Sequence, residues 1–189
     1  MDDSTPGISA TALDEVQWWR ARLSRPVSTH LSPFPLQELP VVHSNVYTDA
    51  SIRGVDVSID RRWLAWRFPD TLSLSPGYIG WAELIAIELA LRALIAQGVT
   101  SCQIPIHIDC TEAIFCLERG YSRHLGQNVV VRRIVALEQT SGINLKCVHV
   151  QSYGNIAHDL ADGTIPDMSK RFPHEVCLPA ELHSRLVAM

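Results

Sequence analysis

From residue 41 onward, short runs of alternating apolar and polar positions give way to longer stretches with helical spacing. "VVHSNVYTDAS" is β-rich and ends in polar residues, "GVDVSID" alternates with period two, and "RRWLAWRFP" is stopped by Pro69. Three short strands in close succession predict an antiparallel meander. "GWAELIAIELALRALIAQG" carries the strongest helical signal: Leu84, Ile87, Leu91, Leu94 and Ile95 fall on one broad face, and Gly98 is the stop. "CQIPIHID" then reads as a buried strand and "CTEAIFCLERG" as a short helix closed by Gly120. "NVVVRRIVALEQTSG" reads as a helix despite its β-branched start, "INLKCVHVQ" as the last strand and "NIAHDLADG" as the last helix. The order βββαβααβα predicts an α/β fold, a five-stranded mixed sheet with helices on both faces.

The ends are simpler. Residues 1–12 are small and polar and read as disordered, and "ALDEVQWWRARLSRP" reads as a short helix with acids early and Arg20, Arg22 and Arg25 late. Prolines 26, 33, 35 and 40 predict an extended connector. In the tail, 164–189, three more prolines precede a terminal helix expected over 180–188. The organisation expected is therefore an extension (1–40), one folded domain (41–163) and a tail (164–189).

Composition narrows the function classes. A chain of 189 residues with 47% hydrophobic content supports one substantial core. It has no apolar run of about 18 residues, and the acidic start Met1-Asp2-Asp3-Ser4 is unlike a secretory signal. The expectation is a soluble, intracellular protein with no membrane partner. Five cysteines without metal-ligand spacing read as buried thiols of a reducing compartment. The net charge of −4 argues against a general nucleic-acid binder, but fourteen of the sixteen cations are arginines, whose forked donors suit phosphate.

Chemistry concentrates where strands end and helices begin. Asp49 closes the first strand, Asp109 closes the fourth, Glu83 lies in the first turn of the long helix, and His158 and Asp159 open the last one. Singly, an Asp after a strand is most often a turn former and a Glu in a first turn a dipole partner. Together they supply the hard oxygens that a two-metal phosphoryl-transfer site needs, one ion activating water and the other stabilising the leaving oxygen. Glu88, five positions beyond Glu83 and about 140° round the helix, points elsewhere.

In order, "VYTDAS", "WAELIAIELALRAL", "IHIDCTEAI" and "VHVQSYGNIAHDLADG" resemble the four active-site segments of the ribonuclease H domain of reverse transcriptases. The resemblance is to DIRS-like and long-terminal-repeat-type retrotransposon polymerases, and it covers roughly residues 41–163. "EVQWWRARLSRP" resembles the Trp-rich connection that precedes such a domain. The resemblance implies a ribonuclease H-like fold, with Asp49, Glu83 and Asp109 as the metal-binding carboxylates of two Mg²⁺ or Mn²⁺ ions. The family's fourth acid, the D of A-D-x-L, falls on His158, with Asp159 as the neighbour able to substitute. Imidazole is a poor ligand for Mg²⁺ and better tolerated by Mn²⁺. Some plant ribonuclease-H-like domains are similar in carrying A-H-x-L here. Cys110 replaces the family's polar residue after the third acid, and Ala161-Asp162 replaces its serine-arginine.

The implied activity is endonucleolytic cleavage of the RNA strand of an RNA–DNA hybrid, beside the polymerase part of the same polyprotein. Asp49 and Asp109 would share the ions, Glu83 would hold the second ion or position water, and His158 would help product leave. Arg119, Arg123, Arg132 and Arg133 are the expected phosphate track, and the five tryptophans read as packing residues. Two rivals remain. One is a weakened or non-catalytic module of a larger complex, favoured by His158 and the acidic charge. The other is an integrase-like or junction-nuclease relative, disfavoured by a Glu lying between the two strand-end Asp residues.

Overall fold

The computed structural model describes residues 9–23, 39–69, 78–158 and 167–189. It forms two compact units, Met1–Glu38 and Leu39–Met189. In the first, helix α1 (Ala10–Leu23) begins inside the stretch expected to be disordered. The Ser9 hydroxyl accepts the Ala12 N–H at 3.2 Å, giving this start a cap, and Trp18 meets Trp19 edge-on at 4.9 Å. The proline connector lies outside the described residues except at Pro40.

The second unit is a mixed α/β structure. Strands β1 (Val46–Ala50), β2 (Gly54–Ile59) and β3 (Arg62–Arg67) form the expected antiparallel meander. Asp60 and Arg61, both at positive φ (50° and 63°), make the two-residue β2–β3 turn, which matches the right-handed strand twist. At the other end of β2, Gly54 is required by a close approach, since a Cβ there would lie 2.1 Å from the Trp66 carbonyl oxygen. Strand β4 (Gln103–Ile108) pairs parallel with β1, and β5 (Asn144–His149) pairs parallel with β4.

Between them run α2 (Ile79–Ala96), α3 (Thr111–Arg119) and α4 (Leu125–Ser141), the last two closed by left-handed Gly120 and Gly142. Helix α2 is buried on nearly every side rather than along one stripe, as befits a helix apolar all round. Strands β1 and β2 pack against it, Val46, Val55 and Val57 sharing one core cluster with Ile104, Ile106 and Ile108 of β4, while α3 and α4 pack onto its flanks. The described helices of this unit thus gather on one face, where both faces were expected to be covered. On the opposite face Tyr47 stacks on His107, ring centroids 4.3 Å apart. Most of the segment expected to form the last helix lies outside the described residues. Among the described residues no helix is long and apolar enough to cross a membrane.

The sheet has six strands rather than five, in the order β5-β4-β1-β2-β3-β6. The addition comes from the tail: Val187–Ala188 pair antiparallel with β3 as β6, where a terminal helix was expected. Only a 3₁₀ turn, Ala180–Leu182, remains of that helix. Two residues are too short a run to register as a periodic pattern, and their partner is more than a hundred positions away. The tail also sends Phe172, Leu182 and Leu186 into the core, and the Trp63 indole N–H donates to the Asp167 carbonyl at 2.9 Å. Phe172→Ala is expected to cost about 3 kcal/mol of stability by urea denaturation; a loss below about 0.5 kcal/mol, typical of surface sites, would remove Phe172 from the core.

Candidate metal and active site

Three chain segments bring their carboxylates to one point. Asp49 is the fourth residue of β1, Asp109 follows the last residue of β4, and Glu83 stands in the first turns of α2. The parallel pairing of β1 with β4 makes the two Asp residues neighbours, and α2, packed across β1 and β2, lowers Glu83 between them. One ligand oxygen from each lies within 4.8 Å of the other two. Asp49 and Glu83 are both 3% exposed.

Burial of like charges has the expected electrostatic cost. Desolvation, then the charges of Asp49 and Asp109, push the Glu83 carboxyl up to about 9. Asp49 is raised by burial and then by Asp109, with His158 offsetting part of the rise. The Glu83 Oε2 atom is buried and has no hydrogen-bond partner among the described residues. Convergent hard oxygens, one of them orphaned, with no cation against them among the described residues other than the His158 ring when protonated, are a donor set that fits Mg²⁺ or Mn²⁺.

His158 stands beside this cluster, its Nδ1 3.0 Å from Asp49 Oδ2 and its side chain 46% exposed. Asp159 lies outside the described residues. Cys110 takes the N-cap position of α3 without a side-chain cap bond, and burial pushes its thiol up to about 11, which leaves it unreactive.

The arginines divide. Arg119 lies over the Phe115 ring at 5.5 Å on α3, and Arg123 is exposed in the loop after it. Both line a cleft of about 330 Å³ with Tyr121 and His124. Arg132 is half-buried on α4. Arg133, expected on the phosphate track, is turned inward: it grips the fully buried Glu88 at 2.7 and 2.9 Å, with Arg92 holding the other side at 2.8 Å. Glu88 does point away from Glu83, and an uncompensated charge at that depth would be far more costly than the pairing.

The ribonuclease H1 of the halophilic archaeon Halobacterium salinarum NRC-1 is similar to this chain, with a TM-score of 0.45 and 17% identity over 62% of this chain and 92% of that one. No family model matches the sequence, and no curated protein matches it.

Two residues beside the site carried no assigned role in the sequence reading. Asp56 sits opposite Asp49 in the β1–β2 register, is fully buried, and takes Arg67 Nη1 on both oxygens at 2.9 and 3.2 Å. Burial outweighs that partner and raises its carboxyl to about 6. In the sequence it stands at a regular polar position of the period-two alternation, which carries no signal of burial. Asn155, 3% exposed, ties the loop after β5 to β1; the signal was an Asn immediately ahead of the Ile-Ala-His run.

Proposed function

We propose that this chain is a divalent-cation-dependent endonuclease that hydrolyses the RNA strand of an RNA–DNA hybrid, working beside the polymerase part of the same polyprotein. One observation carries the reading: Asp49, Glu83 and Asp109 converge from three segments, with a buried Glu83 oxygen left unpartnered. The choice of a hybrid as substrate rests on the resemblance of the four motifs around those residues to reverse-transcriptase ribonuclease H segments.

When bound, two Mg²⁺ or Mn²⁺ ions supply an acidified water and charge to offset that developing on the phosphodiester. Asp49, Glu83 and Asp109 are the residues to hold them, and Asp159 is assigned a further oxygen at the same place. The chain supplies rigidity: Asp49 and Asp109 stand on hydrogen-bonded parallel strands, so little side-chain freedom is lost when they act. Glu83, 3% exposed, is assigned the second ion or the orientation of the attacking water, as the resemblance implies. His158, half-exposed at the rim, is assigned the departure of product. Arg119 and Arg123 are assigned to phosphates, and the cleft they line together with Tyr121 supports that reading.

A second reading, a weakened enzyme, is favoured by one contact: an imidazole against Asp49 Oδ2, on one of the three carboxylates assigned to the ions. Imidazole tolerates Mn²⁺ better than Mg²⁺, so the reading predicts cleavage in Mn²⁺ and little in Mg²⁺. The test is an end-labelled RNA strand annealed to DNA, RNA or nothing, incubated with purified protein in each cation. Cleavage of the hybrid alone is the expected outcome. Intact RNA in every duplex with both cations, at high protein concentration, ends the enzyme proposal.

A further inference from the structure

The His158–Asp49 contact does not make itself. Residues 151–158 leave β5 through a 3₁₀ turn, Ser152–Gly154, whose central Tyr153 is 90% exposed. Within this stretch the Asn155 side chain is buried and bonded at both ends. Its Nδ2–H donates to the Thr48 carbonyl at 2.9 Å, and its Oδ1 accepts the Ala157 N–H at 3.1 Å. Its main-chain carbonyl accepts the His158 N–H at 2.9 Å, and its own N–H donates to Ser152.

Thr48 is the residue before Asp49 on β1. One side chain therefore pins the loop to the strand that carries the first carboxylate and, three residues later, sets the backbone of the group that meets that carboxylate. Ala157, fully buried, closes the same turn against the fold. We infer that Asn155 is the positioning residue of the site, holding His158 Nδ1–H on Asp49 Oδ2, so that the two act as one unit. Only the kinetic part of this inference rests on the nuclease reading.

The state of the His158 ring is the discriminating readout. A donor at Nδ1 keeps the proton there, whereas an unconstrained imidazole prefers it on Nε2. Long-range ¹⁵N–¹H correlation spectra of the whole chain, taken above the ring's titration, report which nitrogen carries it. The expected result is Nδ1–H in the parent protein and a shift to Nε2–H in Asn155→Ala. Asn155→Asp should behave alike, because it keeps the acceptor for Ala157 but loses the donor to Thr48. Val130→Ala, a core change on α4, serves as the equally destabilised control and should leave the ring unchanged.

Activity should follow with kcat lowered about 10- to 100-fold, the usual cost of an outer-shell partner, and KM little moved. Folded Asn155 variants that keep His158 as Nδ1–H overturn the inference. So does the parent protein, without any variant, if its Asn155 side-chain amide protons exchange as fast as exposed ones. A parent protein that cleaves nothing sinks the nuclease reading alone, and the ring spectra still decide the role of Asn155.

Discussion

Asp109→Asn is expected to lower hybrid cleavage by about 10³-fold or more, measured as single-turnover rate with saturating Mn²⁺. The magnitude follows from what the carboxylate does. A bound cation contributes several kcal/mol of transition-state charge stabilisation, and each 1.4 kcal/mol is tenfold in rate. An amide of the same shape offers one neutral oxygen where a charged ligand stood, within 4.8 Å of two other acids that then hold the cation poorly. The fold should tolerate the change. Asp109 is partly exposed and follows the last residue of its strand, and removing a charge from the crowded acids relieves repulsion. Unchanged circular dichroism with lost cleavage is the expected pair of results. Retained cleavage in Asp109→Asn, at rates near the parent, would remove the three-carboxylate site from the chemistry.

Without a divalent cation, stability should fall as pH rises, the reverse of a protein held by paired carboxylates. Glu83 has an ordinary value of 4.5 when unfolded and is pushed to about 9 in the fold by burial and by its acidic neighbours. Between those values the folded state binds a proton that the unfolded state has lost, so the contribution is fully present below 4.5 and is lost progressively up to about 9. The slope for this one group is about 1.4 kcal/mol per pH unit. Asp49, also raised by burial and by Asp109, adds to it with the same sign. Chelator-treated protein should therefore melt lower at pH 8.5 than at pH 6. Mg²⁺ or Mn²⁺ should restore more at the higher pH, because the acids must be ionised to bind. Glu83→Gln is expected to flatten the pH dependence, raise the cation-free melting temperature at pH 8.5 and abolish the cation's effect. A parent protein whose melting temperature rises from pH 6 to 8.5 in chelator would contradict the burial-driven shift.

Legibility differed by element. The meander, α2, α3 and α4 could be read because each carries its own period and its own stop, Gly98, Gly120 and Gly142 all standing at positive φ. Asp49, Glu83 and Asp109 could be singled out because the ends of consecutive elements constrain where their side chains can go. What periodicity misjudged was sidedness. Helix α2 was read as one apolar stripe, and its polar exception, Glu88, gave no hint that Arg92 and Arg133 would meet it inside. Arg133 looked like a surface cation because nothing local distinguishes an arginine bound for solvent from one bound for a buried acid.

The amino-acid sequence by itself determined the order of elements, the meander with its parallel continuation, and the positions from which the three acids start. Those follow from local preferences and from burial patterns that a strand or helix carries with it. The tertiary structure alone decided that a sixth strand comes from the tail, that the described helices of the main unit lie on one face, and that Arg133 belongs to Glu88. It also decided that His158 leans on Asp49 through a loop that Asn155 ties to Thr48. These depend on contacts between residues more than a hundred positions apart. Such contacts are chosen by competition for buried space and for hydrogen-bond partners across the whole fold, and no local pattern records the outcome.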